Sequence, residues 1–193
     1  MTPMHHDMGS MMTMLPGWVR LLWVIALAVV AVLHIRHAMP MTGQPRWWHG
    51  VHTAMAAGML AMYATDPMRQ SGLDRVLFIA FVAITAGLAI ATVVIGRREG
   101  VGNPVWAASA LDSAAMAYMS AIMLWPKAFA PLVSWIVIGY LILAALMWAF
   151  GLWARLPGAR RPAAGLCGHQ DLDVRLTLAV MAASMAYMTA TMV

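Results

Sequence analysis

The sequence predicts an all-α protein, a polytopic transmembrane bundle of six helices. Of its 193 residues, 63% are hydrophobic and 10% are charged, whereas soluble domains average about 45–50% apolar and about 25% charged residues. A soluble domain of this size needs more polar side chains to cover its surface, and a disordered chain needs still more. The apolar residues form six segments near the length that crosses a hydrocarbon core as a helix. These segments are Gly17–Ile35, Trp47–Tyr63, Val76–Ile95, Pro104–Trp125, Pro131–Trp153 and Val174–Val193.

The breaks between these segments carry charge, glycine or proline. Residues 1–16 form a tail without Lys or Arg, so the first segment lacks the basic region of a cleaved signal peptide and is expected to be a retained helix. The second segment is the shortest. The last two are separated by the longest linker, Ala154–Asp173, where Pro157 and Pro162 stop helices. We therefore expect the tail and a single transmembrane domain over 17–193. Tryptophans near segment ends are expected at the lipid headgroups: Trp18, Trp23, Trp47, Trp48, Trp106, Trp125 and Trp153.

The positive charges predict the orientation in the membrane. Eight Lys and Arg residues fall on one side and four on the other, and cytoplasmic loops carry the excess. Both termini are therefore predicted to be extracytoplasmic. The net charge of +5 follows from this topology, so no nucleic-acid partner is expected. Cys167, the only cysteine, falls in an inner loop; a free thiol is the first interpretation and a lone thiolate ligand the second.

The twenty methionines are unevenly distributed. Ten lie in the second, fourth and sixth segments, while the first, third and fifth together hold only Met147. Within each segment they recur at steps of three and four residues, which return to one helix face, and small residues between them allow close helix approach. The stripes are Met55, Met59 and Met62; Met116, Met119 and Met123; and Met181, Met185, Met188 and Met192. We expect these faces to meet in a chain built from three repeated helix pairs.

Polar side chains extend the stripes at the predicted inner end. His34 and His37 close the first segment, and His49 and His52 open the second, each pair three residues apart and so on adjacent turns. His52 continues the stripe of its helix. Asp112 heads the fourth-segment stripe and is the only acid well inside a span. Intramembrane carboxylates usually face the bundle interior, which makes Asp112 a predicted functional residue.

These thioether, imidazole and carboxylate groups predict copper binding. Soft thioethers select Cu(I), and imidazole suits copper. The tail adds closely spaced candidate ligands that would capture copper: Met4, His5, His6, Met8, Met11, Met12 and Met14. We expect the ten methionines, with His49, His52 and Asp112, to hold or relay Cu(I) for copper transport, delivery or homeostasis. The expected partners are the lipid bilayer, the copper ion and a copper-accepting protein or larger membrane complex, and the chain is compatible with an oligomer. No catalytic motif is present, so no enzyme is predicted.

The His-led second segment and the paired Ala-Met-x-x-Met helices resemble the actinobacterial membrane proteins grouped as domain of unknown function 5134. The resemblance covers most of the chain through His52, Met55, Met59, Met62, Met116, Met119, Met185 and Met188. It implies a polytopic plasma-membrane protein without an assigned reaction. The Met- and His-rich tail departs from this pattern, so inferences from the tail apply to this chain alone.

Each signal also has a simpler interpretation. A methionine stripe on a buried helix is commonly adaptable packing, and histidines near helix ends commonly extend toward interfacial water. An alternative function is a b-type haem electron carrier with two axial histidines from different helices, drawn from His34, His37, His49 and His52. A third alternative is a non-catalytic accessory subunit of a membrane complex, with methionine as interface packing.

Overall fold

The computed structural model describes residues 16–65, 71–100, 103–125, 131–155 and 171–192. Within these ranges the chain forms six α-helices and no β-strand, which confirms the all-α class. The helices are α1 (Gly17–Ala38), α2 (Gln44–Ala64), α3 (Ser71–Glu99), α4 (Pro104–Leu124), α5 (Pro131–Ala149) and α6 (Leu172–Ala190). The tail over residues 1–15, with its predicted copper-capture set, and Cys167 lie outside the described residues.

The end of α5 differs from the predicted fifth segment. The sequence predicts a fifth segment that continues to Trp153, but α5 ends at Ala149 and a short 3-10 helix follows over Leu152–Arg155. Gly151, between them, has a φ of 65°, a conformation that glycine adopts without steric cost and that interrupts a right-handed helix. The prediction of one continuous span was therefore wrong at this end.

Consecutive helices pack as three antiparallel pairs, α1 with α2, α3 with α4, and α5 with α6. At one end of the first pair, the Arg20 guanidinium donates to the Tyr63 carbonyl oxygen at 3.0 Å. At the opposite end of the bundle, Arg175 of α6 donates to the Ala149 carbonyl oxygen at 2.7 Å. Each guanidinium satisfies carbonyl groups that a helix C-terminus leaves without an intrahelical partner. The helix α1 also packs against α6, which brings the first and third pairs together.

The even-numbered helices occupy the inside of the bundle. Most described residues of α2, α4 and α6 are buried or half-buried, whereas α1, α3 and α5 expose long apolar faces. The exposed apolar side chains of these outer helices include Leu21, Leu22, Ile25, Val29, Val32, Val76, Ile79, Val82, Ile90, Leu132, Ile136, Ile142, Leu143 and Leu146. An apolar surface of this extent suits lipid rather than water.

Among the described residues, four helices are long and apolar enough to cross a membrane: α1, Gly72–Arg98 of α3, α4 and α5. This is consistent with an integral membrane protein. The other two, α2 and α6, have 21 and 19 residues, about 30 Å of helix each, but carry more polar side chains on their inward faces. They are therefore less apolar for the same length.

The tryptophans divide between the surface and the interior. Those exposed near helix ends, as the sequence predicts, are Trp18, Trp47 and Trp125. Trp48 and Trp106 also lie near helix starts, but their side chains are buried inside the bundle rather than exposed at its surface. The Trp48 indole Nε1 donates to Ser109 Oγ at 3.0 Å, and this bond links α2 to α4. A buried indole N–H usually has such a partner, whereas the Nε1 of Trp106 has none among the described residues.

Candidate functional site

The methionine stripes of α2, α4 and α6 meet in one buried core. Its buried methionines are Met55, Met59, Met62, Met116, Met119, Met181, Met185 and Met188. Met123 and Met192, at the far ends of their stripes, are half-buried. The Ser184 hydroxyl donates to the Met181 carbonyl oxygen at 2.8 Å. Its oxygen also lies 3.3 Å from the Met59 sulfur, a close contact between α6 and α2. The spacing of the methionines thus located three helix faces that pack together.

This architecture also gives a reason for the uneven distribution of methionine. The outer helices expose Val, Ile and Leu at the surface of the bundle, whereas the inner helices fill the space between neighbouring helices. An unbranched, flexible thioether fills such space well. Packing is therefore the simpler interpretation of the buried methionines, and their sulfur atoms are the soft ligands that this core would offer to a metal ion.

Four histidines gather at one end of this core, where α1 ends and α2 begins. His34 Nδ1 lies 2.9 Å from His49 Nδ1. The ring of His52 stacks on that of His34, with centroids 5.4 Å apart, and the ring of His37 stacks on that of His49 at the same separation. Three of the four are buried, and His37 lies at the edge. The two pairs expected from their spacing therefore form a single imidazole cluster.

The proton positions on two of these rings follow from their partners. His52 Nδ1 lies 2.8 Å from the Trp48 carbonyl oxygen, and because a carbonyl only accepts, this nitrogen carries the proton. His52 Nε2 is then an acceptor, and it is buried without a hydrogen-bond partner among the described residues. In contrast, both nitrogens of His37 face acceptors, the Leu33 carbonyl at 2.7 Å and Asp173 Oδ2 at 3.1 Å.

A threonine of α6 orients the central ring. The Thr177 hydroxyl donates to the Val174 carbonyl oxygen at 2.7 Å, so toward His34 Nε2, 3.3 Å away, it acts as an acceptor. His34 therefore carries its proton on Nε2, and its Nδ1 accepts from His49 Nδ1. Thr177 was missed by the sequence reasoning. It lies four residues before Met181, at the head of the sixth stripe, as His52 and Asp112 head theirs.

Asp112 is hydrogen-bonded to α5, a helix that carries none of the four clustered histidines. Its carboxylate oxygen Oδ1 accepts a hydrogen bond of 2.8 Å from the Tyr140 hydroxyl of α5. Both side chains lie inside the bundle or at its edge. Tyr140 was also missed, although a tyrosine within an otherwise apolar helix is a signal that a buried polar partner is near. The structure thus gives Asp112 a phenol as its neighbour, and its role as a copper ligand stays a prediction.

Within the described ranges, no three His, Cys, Asp or Glu side chains are arranged as a metal-ion site. Copper bound in the core would accordingly depend on thioether sulfurs, or on a rearrangement of the imidazole cluster. The structure brings eight of the ten stripe methionines into the core, with Met192 packed against it and Met123 outside it. His49 and His52 lie beside Trp48, a member of this core, and His34 and Thr177 join them.

Residues 45–192 match the family model described as Domain of unknown function (DUF5134). The chain belongs to this family. The match runs from the start of α2 almost to the end of the chain, and so contains the three stripes, His49 and His52, while α1 with His34 and His37 precedes it. No curated protein and no solved structure matches the chain. The resemblance noted from the sequence is thus confirmed as a family, and an actinobacterial source stays a prediction.

Proposed function

We propose that this protein binds Cu(I) in the plasma membrane, for copper transport, delivery or homeostasis. The observation that supports the proposal is the convergence of three methionine stripes in one buried core. Neutral thioethers are soft ligands that select Cu(I) over harder ions. The core ends in the imidazole cluster, and imidazole also suits copper. An ion held by successive weak sulfur sites would be able to move along the core toward the histidines.

In this proposal all six helices cross the membrane, with both termini outside. The inward polar residues of α2 and α6, such as His52 and Thr177, are buried inside the bundle, so they do not meet lipid. Since α2, α4 and α6 start from one side, the stripe ends Met62, Met123 and Met192 lie toward the other. That is the side on which the Met- and His-rich tail is predicted to capture copper before it enters the core.

The geometry of the histidines favours copper over haem. Axial ligation by two histidines places the iron between the imidazoles. His34 and His49 instead contact each other directly at 2.9 Å through their Nδ1 atoms, and their ring centroids are 5.2 Å apart. Haem ligation by this pair would require the ends of α1 and α2 to separate by the thickness of the cofactor.

The proposal is tested by Cu(I) titration of the purified full-length protein against a chromophoric competing chelator. The tail ligands are first replaced by Ser so that only the core is measured. In that background we compare Met59→Leu, Met116→Leu and Met185→Leu combined, one from each stripe, with a control that combines Met39→Leu and Met147→Leu outside the stripes. Leu conserves volume approximately and removes sulfur.

We expect the stripe variant to lose Cu(I) affinity by about tenfold or more, as for a disrupted metal site, while the control binds as the parent does. Undiminished Cu(I) binding by the stripe variant would contradict the proposal. A Soret band in the purified protein would favour the haem alternative. Protein free of both copper and haem after growth in copper would favour the accessory-subunit alternative.

A further inference from the structure

We propose that one end of the bundle binds the headgroups of acidic phospholipids through a basic rim of exposed arginines. The rim consists of Arg36, Arg46, Arg97, Arg98 and Arg155. Arginine suits this ligand because its planar guanidinium forms paired hydrogen bonds with phosphate oxygens. The rim lies on the surface of the protein, so the proposal does not rest on Cu(I) binding in the methionine core.

Contacts between helices place the first four arginines of the rim at the same end. The imidazole cluster joins the end of α1 to the start of α2, where Arg36 and Arg46 lie. The hydrogen bond from Trp48 to α4 brings the start of α4 to the same end. Because α3 packs antiparallel to α4, the end of α3 lies there too, with Arg97 and Arg98.

The helix α6 brings the fifth arginine to this end. Thr177, near the start of α6, lies 3.3 Å from His34. In the first turn of the same helix, the Arg175 guanidinium donates to the Ala149 carbonyl oxygen at the end of α5. The 3-10 helix that holds Arg155 follows directly, so all five exposed guanidiniums share one end of the bundle.

The guanidiniums of the rim have no partner within the protein. None of the five forms a hydrogen bond or an ion pair with the residues that the structure describes, whereas Arg20 and Arg175 donate to carbonyl groups at helix ends. Two acids begin α6 at this end, Asp171 and Asp173, and Asp173 contacts His37 at 3.1 Å. The positive charge of the rim therefore calls for anions from outside the protein.

The apolar faces that lead to the rim identify the anion as part of a lipid. On α3, Ile90, Val94 and Arg98 are exposed and four residues apart, so they follow one another along one helix face. On α1, Val32 and Arg36 have the same spacing and are also exposed. A phospholipid matches this arrangement, since its acyl chains cover the apolar residues while its phosphate reaches the guanidinium. A nucleic acid or an acidic peptide would leave the apolar faces uncovered.

Trp47 adds a second indication of the headgroup level. It follows Arg46 directly and its side chain is 75% exposed. Indole rings collect at the headgroup region of a bilayer, and long arginine side chains extend from the apolar region to the same depth. At the opposite end, the start of α3 carries Arg75, which is also exposed and serves as the control.

The test measures which lipid the purified full-length protein retains from detergent that contains equal amounts of phosphatidylglycerol and phosphatidylcholine. The two lipids carry the same acyl chains, so they differ in the headgroup alone, and mass spectrometry counts the retained molecules. We expect the parent to prefer phosphatidylglycerol. The preference should fall about fivefold or more when the arginines are neutralised, in a variant that combines Arg36→Gln, Arg46→Gln, Arg97→Gln and Arg98→Gln. Arg75→Gln should retain the preference of the parent.

Three results would overturn the proposal. The first is an undiminished preference in the fourfold Gln variant, and the second is an equal loss in Arg75→Gln. The third is displacement of the lipid by inorganic phosphate beyond that by sodium chloride of the same ionic strength, which would indicate a site for a soluble anion. Monodisperse elution in detergent establishes folding. If the fourfold variant is not folded, the two pairs, Arg36→Gln with Arg46→Gln and Arg97→Gln with Arg98→Gln, decide the outcome.

Discussion

The Tyr63 hydroxyl on α2 donates a hydrogen bond of 2.8 Å to the carbonyl oxygen of Ser184 on α6. The indole of Trp23 on α1 stacks on the same phenol ring, with centroids 6.2 Å apart, so three helices meet at one side chain. Both Tyr63 and Ser184 are buried. This contact holds α2 and α6 together at the end of the methionine core opposite to the histidines.

Replacement of Tyr63 by Phe should destabilise the bundle. The change keeps the ring and its stacking but removes the hydroxyl, and a net loss of about 1 kcal/mol is expected for one buried hydrogen bond. The free energy of unfolding, measured in mixed detergent micelles by denaturant titration, checks this. A Tyr63→Phe variant as stable as the parent would show that the hydroxyl contributes nothing to the α2–α6 contact.

Gly58 should be the glycine of α2 that tolerates substitution least. A Cβ at this position would overlap the ring of Phe81 on α3, whereas at Gly50 nothing lies within 4 Å. Gly58→Ala is therefore expected to cost about 1–3 kcal/mol through overpacking. Gly50→Ala on the same helix should be neutral or stabilise by up to about 1 kcal/mol, since alanine is the better helix former. Unfolding midpoints of the two variants give the comparison.

A smaller side chain at position 81 should relieve this cost. In the Gly58→Ala, Phe81→Leu double variant the new methyl group takes part of the space of the ring. We expect the double variant to lose less stability than the two single variants together, because residues in contact couple. Strict additivity of the two changes would contradict the close approach of Gly58 to Phe81.

Arg175 should stabilise the end of α5 through its charge. Its guanidinium donates to the Trp148 and Ala149 carbonyl oxygens at 3.2 and 2.7 Å. Arg175→Met retains an unbranched apolar stem and removes both donors, so a loss of about 1.5–3 kcal/mol is expected. Arg98→Met, at an exposed position on α3, is the control. Equal stability of the two variants would show that the carbonyl contacts of Arg175 have no net effect.

Variants of Asp112 and Tyr140 should show whether the Asp112 carboxylate has a structural role or binds metal. Tyr140→Phe removes the donor to Asp112 and should cost about 1–3 kcal/mol, because a buried polar group is left unpaired. Asp112→Asn retains an acceptor oxygen and should cost less. Titration of Asp112→Asn with Cu(I) tests the ligand role directly: an unchanged Kd would remove Asp112 from the copper site.

The predicted orientation can be measured with Cys167, the only cysteine of the chain. With both termini outside, the linker that holds Cys167 is cytoplasmic. A membrane-impermeant maleimide should therefore label it only after cells are permeabilised, and a cysteine introduced at Thr2 in a Cys167→Ser background should be labelled in intact cells. Labelling of Cys167 in intact cells would reverse the orientation.

The helices could be predicted from the sequence because their signals are local. Length and apolar content located six segments, and the methionine spacing located the inward faces of α2, α4 and α6, which the structure brings into one core. Burial of Trp48 was not predictable from its place near a segment end, since it depends on Ser109 of another helix. The end of α5 was missed because the turn at Gly151 is a backbone conformation that apolar content does not encode.

The amino-acid sequence by itself predicted a membrane protein and determined that its apolar segments form helices and that methionines share one face on three of them. Composition and helical periodicity act over a few turns of one chain segment, so no other part of the chain is needed to recognise them. Only the tertiary structure decided that His34 meets His49, that Thr177 orients His34, and that Asp112 pairs with Tyr140. Those contacts depend on the rotation and axial register of one helix against another, which packing across the whole bundle selects.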